Sequence, residues 1–262
     1  MVSQTPASPV FLLSNFRCGS TMLRYVLDAH PAFCCPAELR LGALCETLYA
    51  VVELTAGERD DRAWQPAGVA RVRSVVDDLM RTYCQRKGKS RWCDKSPANM
   101  DFMGTITTVF PDAQFIALHR RALDQVWSSY EVHLHAVEST PGRPKSEMWT
   151  ALVERWCVVT ERLLALERYM PHAVHRITYE RLTANAEAEA ANMWEFLGVE
   201  RVPGLTETAF AIPHDPGPAD VKIRGSKGIE SGRVGKGRRV DISEVPARTR
   251  DRMDALMREV GY

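Results

Sequence analysis

The sequence predicts a three-layer α/β domain, a central, mostly parallel sheet with helices on both faces. Two observations predict it. Short continuous apolar runs alternate with longer amphipathic segments of helical period, the pattern of repeated strand–helix units. No repeat and no linker-like stretch divides the chain before Pro203, so its 262 residues are expected to form a single domain with one full core.

The elements follow in order. Residues 10–13 (VFLL) are a buried parallel strand, because the run is apolar without alternation. Residues 14–21 (SNFRCGST) are a turn, and residues 22–29 are a helix with Met22, Leu23, Val26 and Leu27 on one side. Helical patterns cover about 39–54 and 66–86. Residues 91–93 are a second strand, and a helix is expected over about 98–109. Residues 114–118 (QFIAL) are a third strand, followed by a helix from about Leu123 past Tyr130. A loop rich in Pro, Gly, Ser and Thr spans 137–145. A long amphipathic helix spans 147–169, and a fourth strand spans 174–177. Residues 179–197 are helical with a break near Asn185, stopping at Gly198, a suitable C-cap residue. Residues 203–239 turn to Pro, Gly and basic residues and are expected to be mobile, and 245–259 return to helix.

Composition excludes several classes. Lys and Arg total 34 against 33 Asp and Glu, a formal charge of +1, so an anion site must be local and nucleic acid is not an expected partner. Seven cysteines with no CxxC pair suggest reduced thiols and a cytoplasmic protein. Seven scattered histidines offer no metal-ligand spacing, so no metal is expected. The apolar run at 10–13 is too short for a membrane span or a signal peptide core.

Three strand ends carry the chemistry. The first strand feeds a turn with Arg17, Cys18, Gly19, Ser20 and Thr21 and then a helix N-terminus, a source of free N–H groups for an anion. It lacks the Walker glycine and lysine, which speaks against an ATP or GTP cradle. The second strand ends at Lys95. The third ends at Arg120, with Ser128 two turns into the next helix, a pair able to grip one phosphate. Alone, each reads equally as a capped turn or a surface cation. Together they describe a ligand with phosphates at two places, the shape of 3′-phosphoadenosine 5′-phosphosulfate (PAPS).

The ordered blocks make this specific. Residues 16–21 (FRCGST) and 25–31 (YVLDAHP), Lys95-Ser96-Pro97, residues 110–116 (FPDAQFI) with Arg120 and Ser128, and residues 179–182 (YERL) with 196–198 (FLG) stand in one order over about 10–200. In that order they resemble the PAPS-dependent sulfotransferase superfamily, and within it the branch of protein-tyrosine and bacterial carbohydrate sulfotransferases. Phe16 stands where proline is usual, Cys18 where serine is usual, and Arg121-Ala122 replace a common Asp-Pro.

The resemblance implies a P-loop-like fold, PAPS as co-substrate without a metal, and a small-molecule or peptide acceptor. It implies residues 17–21 as the 5′-phosphosulfate loop, Arg120 and Ser128 as the 3′-phosphate pair, and Tyr179 near the nucleotide. It also implies Glu38 as the catalytic base, with Arg17 and Lys95 as cations for the leaving group. Residues 221–239 hold seven Lys or Arg and five Gly. They are similar to a basic segment that folds over the 3′ phosphate, with Lys227 and Arg233 its candidate contacts. Two other readings compete: a nucleotide or nucleoside kinase, which would bind ATP with Mg²⁺, and a basic module for anionic glycans or nucleic acid, which would select no nucleotide.

Overall fold

The structure is a computed structural model and describes residues 8–56, 64–138, 145–217, 223 and 225–262. Five strands form one parallel sheet: β1 (Val10–Ser14), β2 (Phe33–Cys34), β3 (Arg91–Asp94), β4 (Gln114–His119) and β5 (Val174–Thr178). They lie in the order β2-β3-β1-β4-β5. Ten α-helices among the described residues flank them: α1 (Ser20–Ala29), α2 (Leu41–Ala56), α3 (Pro66–Arg86), α4 (Met103–Val109), α5 (Ala122–Glu138), α6 (Lys145–Tyr169), α7 (Tyr179–Ala184), α8 (Ala186–Leu197), α9 (Leu205–Thr208) and α10 (Ala247–Val260). None of them is long and apolar enough to cross a membrane.

The apolar runs are continuous because both faces of the sheet are covered. Side chains alternate across a strand. Val10 and Leu12 of β1, with Ile116 and Leu118 of β4, therefore pack against α1 and α8. Phe11 and Leu13, with Phe115 and Ala117, face the other way, toward α3, α4 and α6. A third cluster joins α5, α6 and α10 through Val126, Trp156 and Met253. Trp149 and Trp156 are buried in it and Trp64 and Trp127 pack on the cores, so the tryptophans serve packing.

The register shapes the upper edge. Ser14 pairs with Leu118 and His119 with Thr178, so β1, β4 and β5 end nearly level. Phe11 pairs with Asp94, so β3 stops three residues earlier, a step of about 10 Å at a strand's rise. The segments after β2 and β3 fill that step. From β1 the chain goes out to the edge strand β2, returns to β3 beside β1, then crosses to β4 and β5 on the other side. The loop after β1 lies at this reversal, where open α/β sheets bind ligands.

Two elements differ from expectation. The two-residue β2 carries no readable pattern. The helix expected from about 98 is a 3-10 turn (Pro97–Asp101) followed by α4, because Phe102 at φ −123 interrupts the path. The third helix of the chain's second half breaks as expected: Asn185 ends α7 and caps α8, accepting from the Ala188 amide at 3.2 Å, and Gly198 closes α8 at φ 66. The loop expected at 137–145 falls largely on residues 139–144, which lie outside the described residues, as do residues 218–222 and 224 of the basic segment.

Candidate active site

The turn after β1 is a left-handed pair. Arg17 has φ 65 and Gly19 has φ 91, and such successive turns make a concave N–H nest at the start of α1. Its carbonyls are tied back. Gln125 Nε2 donates to the Phe16 carbonyl at 2.6 Å, and Arg120 donates to the Arg17 carbonyl at 2.7 Å. The first-turn amides of α1 have no partner within the helix. Only glycine fits at position 19, because a Cβ there would stand 2.6 Å from the Tyr179 ring. The Cys18 thiol turns into the core, where burial pushes its pKa up to about 12.

Arg120 is the hub of the next strand end. The Trp156 indole N–H donates to its carbonyl at 3.0 Å, and its guanidinium lies 4.2 Å over the Tyr179 ring. It also donates to the Arg233 carbonyl at 3.2 Å. Its partners are thus neutral carbonyls and a ring, and among the described residues the buried Nε–H groups of Arg17 and Arg120 donate to no partner. Burial, then the nearby Arg233 and Arg120 charges, pull the Arg17 pKa below its ordinary value. Ser128 is buried one face along on α5 and lines the same cavity.

The basic segment is latched onto α5. The Asp124 carboxylate accepts from the Gly235 amide at 2.8 Å and the Gly237 amide at 2.6 Å. Gly237 lies against the α5 backbone, where a Cβ would meet the Leu123 carbonyl carbon at 2.5 Å. This carries Arg233 and Lys236 to the cavity wall. Lys227 is exposed and does not line the cavity.

Lys95 rises from the step left by β3. It is 1% exposed, and its Nζ donates to Glu38 Oε1 at 2.6 Å and lies 3.4 Å from Thr21 Oγ1. Glu38 covers Lys95 and itself lines the cavity, which measures about 320 Å³. The structure thus brings Arg17, Gly19, Ser20, Thr21, Glu38, Arg120, Ser128, Tyr179 and Arg233 to one cavity, with Lys95 just beneath.

The sequence profile described as the Sulfotransferase family matches residues 9–203, which covers β1 through α8 and most of this cavity. The chain belongs to the sulfotransferase family. Its curated relatives include a putative protein-tyrosine sulfotransferase of Caenorhabditis briggsae, 26% identical over 206 residues, covering 72% of this chain and 68% of that protein. Protein-tyrosine sulfotransferase A of Caenorhabditis elegans is 24% identical over 72% of this chain and 50% of its own length. A protein of Aquifex aeolicus (strain VF5) is 25% identical over 72% of this chain, but the match spans only 25% of its length. The chain therefore spans between a quarter and two thirds of the curated relatives it matches.

Among solved structures, the sulfotransferase domain of the Synechococcus PCC 7002 olefin synthase superposes with a TM-score of 0.69 at 20% identity, covering 100% of this chain and 97% of that one. Mouse sulfotransferase SULT7A1 complexed with PAP superposes with a TM-score of 0.52 at 15% identity, covering 98% and 84%. These likenesses show the sulfotransferase fold.

Sequence reasoning missed several residues of this family site. Phe16, Met22 and Pro97 also line the cavity, and Lys236 adds a cation. Asp124, the latch, was signalled only as an acidic residue in the first turn of α5. The glycines of the basic segment were the usable clue to a close approach, and Gly237 is where it occurs.

Proposed function

We propose that the protein transfers a sulfuryl group from PAPS to an acceptor hydroxyl or amine, with Glu38 as general base and Arg17 and Lys95 offsetting charge on the leaving group. The observation that carries this reading is a carboxylate and a buried lysine, 2.6 Å apart, at one wall of a cavity whose other cations have, among the described residues, no carboxylate partner at hydrogen-bonding distance. Arg233 is the nearest to an exception, 3.8 Å from Glu131. Cations already in place favour a group that gains negative charge in the transition state. The orphaned Arg17 and Arg120 Nε atoms fit a ligand bringing several anionic oxygens.

In the proposed reaction the acceptor oxygen or nitrogen forms a bond to sulfur as the bond from sulfur to the 5′-phosphate oxygen breaks. Glu38 takes the acceptor's proton, and the electron pair leaves with 3′,5′-bisphosphoadenosine. The displacement resembles phosphoryl transfer in its logic. Lys95 has a proton to give to the departing oxygen, whereas Arg17 holds its proton too firmly. Arg120 and Ser128 face the 3′ phosphate, and the nest at residues 17–21 faces the 5′ side. That one structural relative was solved with PAP supports the choice of nucleotide.

Calorimetric titration of metal-free protein tests the donor assignment. Bisphosphoadenosine should bind without added Mg²⁺ and far more tightly than adenosine 5′-monophosphate. Equal affinity for the two nucleotides, or a requirement for Mg²⁺, sinks the reading.

A further inference from the structure

Three side chains of the loop after β3 grip the backbone that carries Glu38. Ser96 Oγ accepts from the Arg40 amide at 2.9 Å. Asp94 Oδ2 accepts from the Leu41 amide at 3.1 Å. Asn99 Oδ1 accepts from the Gly42 amide at 3.2 Å. Three successive amides, those of residues 40, 41 and 42, are thus captured by three side chains. The three are also locked to one another, since Ser96 Oγ donates to Asp94 at 2.7 Å and Asn99 Nδ2 donates to it at 2.7 Å.

This cluster exceeds what starting a helix requires. A single Ser or Asp at the N-cap satisfies the first amides of an ordinary helix. Here a carboxylate, a hydroxyl and an amide are all 0% exposed, and burying a carboxylate is costly unless its oxygens are fully bonded. The captured backbone is itself strained, because Arg40 is held at φ 56, outside the region a non-glycine residue prefers. Strain of this kind persists only where surrounding contacts over-determine it, and it gathers at functional sites. Gly42 is pressed against the turn below, where a Cβ would stand 2.5 Å from Phe102 Cβ.

The placement is specific. Asp94 and Ser96 flank Lys95 in the chain, so one loop presents the lysine and holds the segment bearing its partner. We propose that Asp94, Ser96 and Asn99 are positioning residues, a clamp that fixes Glu38 against Lys95 in the orientation needed to accept a proton. The proposal rests on the reading of Glu38 as base. The clamp touches neither nucleotide nor acceptor; it acts through residues 40–42.

The test uses the full chain and two readouts. One is amide hydrogen exchange over residues 40–42. The other is release of labelled sulfate from PAPS with water as acceptor, in which water attacks sulfur, its proton passes to Glu38 and bisphosphoadenosine departs. Ser96→Ala should speed exchange at these amides roughly ten-fold and slow sulfate release by a similar factor, the worth of one or two buried hydrogen bonds. Affinity for bisphosphoadenosine should stay within two-fold, which also reports that the fold is intact. In a Glu38→Gln background, Ser96→Ala should no longer slow release, because residues acting through one group are not additive. Asn99→Ala, which frees only the Gly42 amide and one Asp94 oxygen, should show the same pattern more weakly. Unchanged exchange at 40–42 in both variants refutes the clamp, as does an equal slowing with and without Glu38. Undiminished release in Glu38→Gln alone refutes the base reading instead, and the positioning role falls with it.

Discussion

Gly19→Ala probes the point where the nest, Tyr179 and Arg120 meet. The added Cβ meets the Tyr179 ring at 2.6 Å and 2.9 Å, so the ring must move by nearly 1 Å. Tyr179 is buried and stacked under Arg120 at 4.2 Å, so it has little room to yield. Overpacking of this kind costs about 1–3 kcal/mol. Alanine at φ 91 adds roughly 1–2 kcal/mol. The smaller unfolded-state entropy of alanine returns about 0.4–1 kcal/mol. The net is roughly 1–4.5 kcal/mol, which for a chain of this size lowers Tm by about 2–8 °C. Scanning calorimetry measures it, and repeating the substitution in a Tyr179→Ala background isolates the clash. There the cost of Gly19→Ala should fall to the backbone part less the entropy return, about 0–1.6 kcal/mol. Equal costs in the two backgrounds would refute the packing of Tyr179 under the nest.

Three further outcomes follow from the same geometry. Arg120→Ala should remove most of the preference for bisphosphoadenosine over the monophosphate, since a charge-assisted phosphate contact contributes about 1.5–3 kcal/mol; retention of the full preference in titrations would move the 3′ site elsewhere. Gly237→Ala places a methyl into the α5 backbone and should release the latch at Asp124; hydrogen exchange at Gly235 and Gly237 should rise to that of an open loop, and unchanged protection would show the latch is not closed there. Burial alone would raise the Asp28 pKa, but bonds from His214 and the Cys35 amide, with Lys89 nearby, hold it below the usual carboxylate value. A depressed folded pKa stabilises above the unfolded value of about 3.9 and is lost as pH falls through the folded value. Asp28→Asn should therefore lower Tm at pH 7, and the gap from wild type should close below about pH 4; a gap that persists there would assign its cost to packing.

The elements that position the site were legible because burial wrote them plainly. β1 and β4 are apolar without interruption since both faces are covered, and their ends lead straight to Arg17 and Arg120. Lys95 was legible as a strand-end cation, but its burial under Glu38 was not. That depends on the parallel register, which drops β3 three residues below β1, and register between distant strands leaves no local trace. The clamp was hidden for a similar reason. Ser96 and Asn99 look like ordinary loop polar residues, and their partners, the amides of 40 and 42, lie more than fifty positions away. Within the basic segment, charge drew notice to Lys227, whereas the glycines mark the contact with α5, because close backbone approach needs a missing Cβ more than it needs charge.

The central claim is sulfuryl transfer from PAPS with Glu38 as base. Its most direct test incubates the protein with PAPS labelled in the sulfuryl group and a panel of phenols, sugars, lipid alcohols, tyrosine peptides and amines, beside the Glu38→Gln variant. Labelled product should form on at least one acceptor and fall by roughly 10²–10⁴ in the variant, the usual worth of a positioned general base, while both proteins bind bisphosphoadenosine alike. Transfer that proceeds equally well without the Glu38 carboxylate, or wild-type protein that binds the nucleotide yet labels no acceptor in the panel, would contradict it.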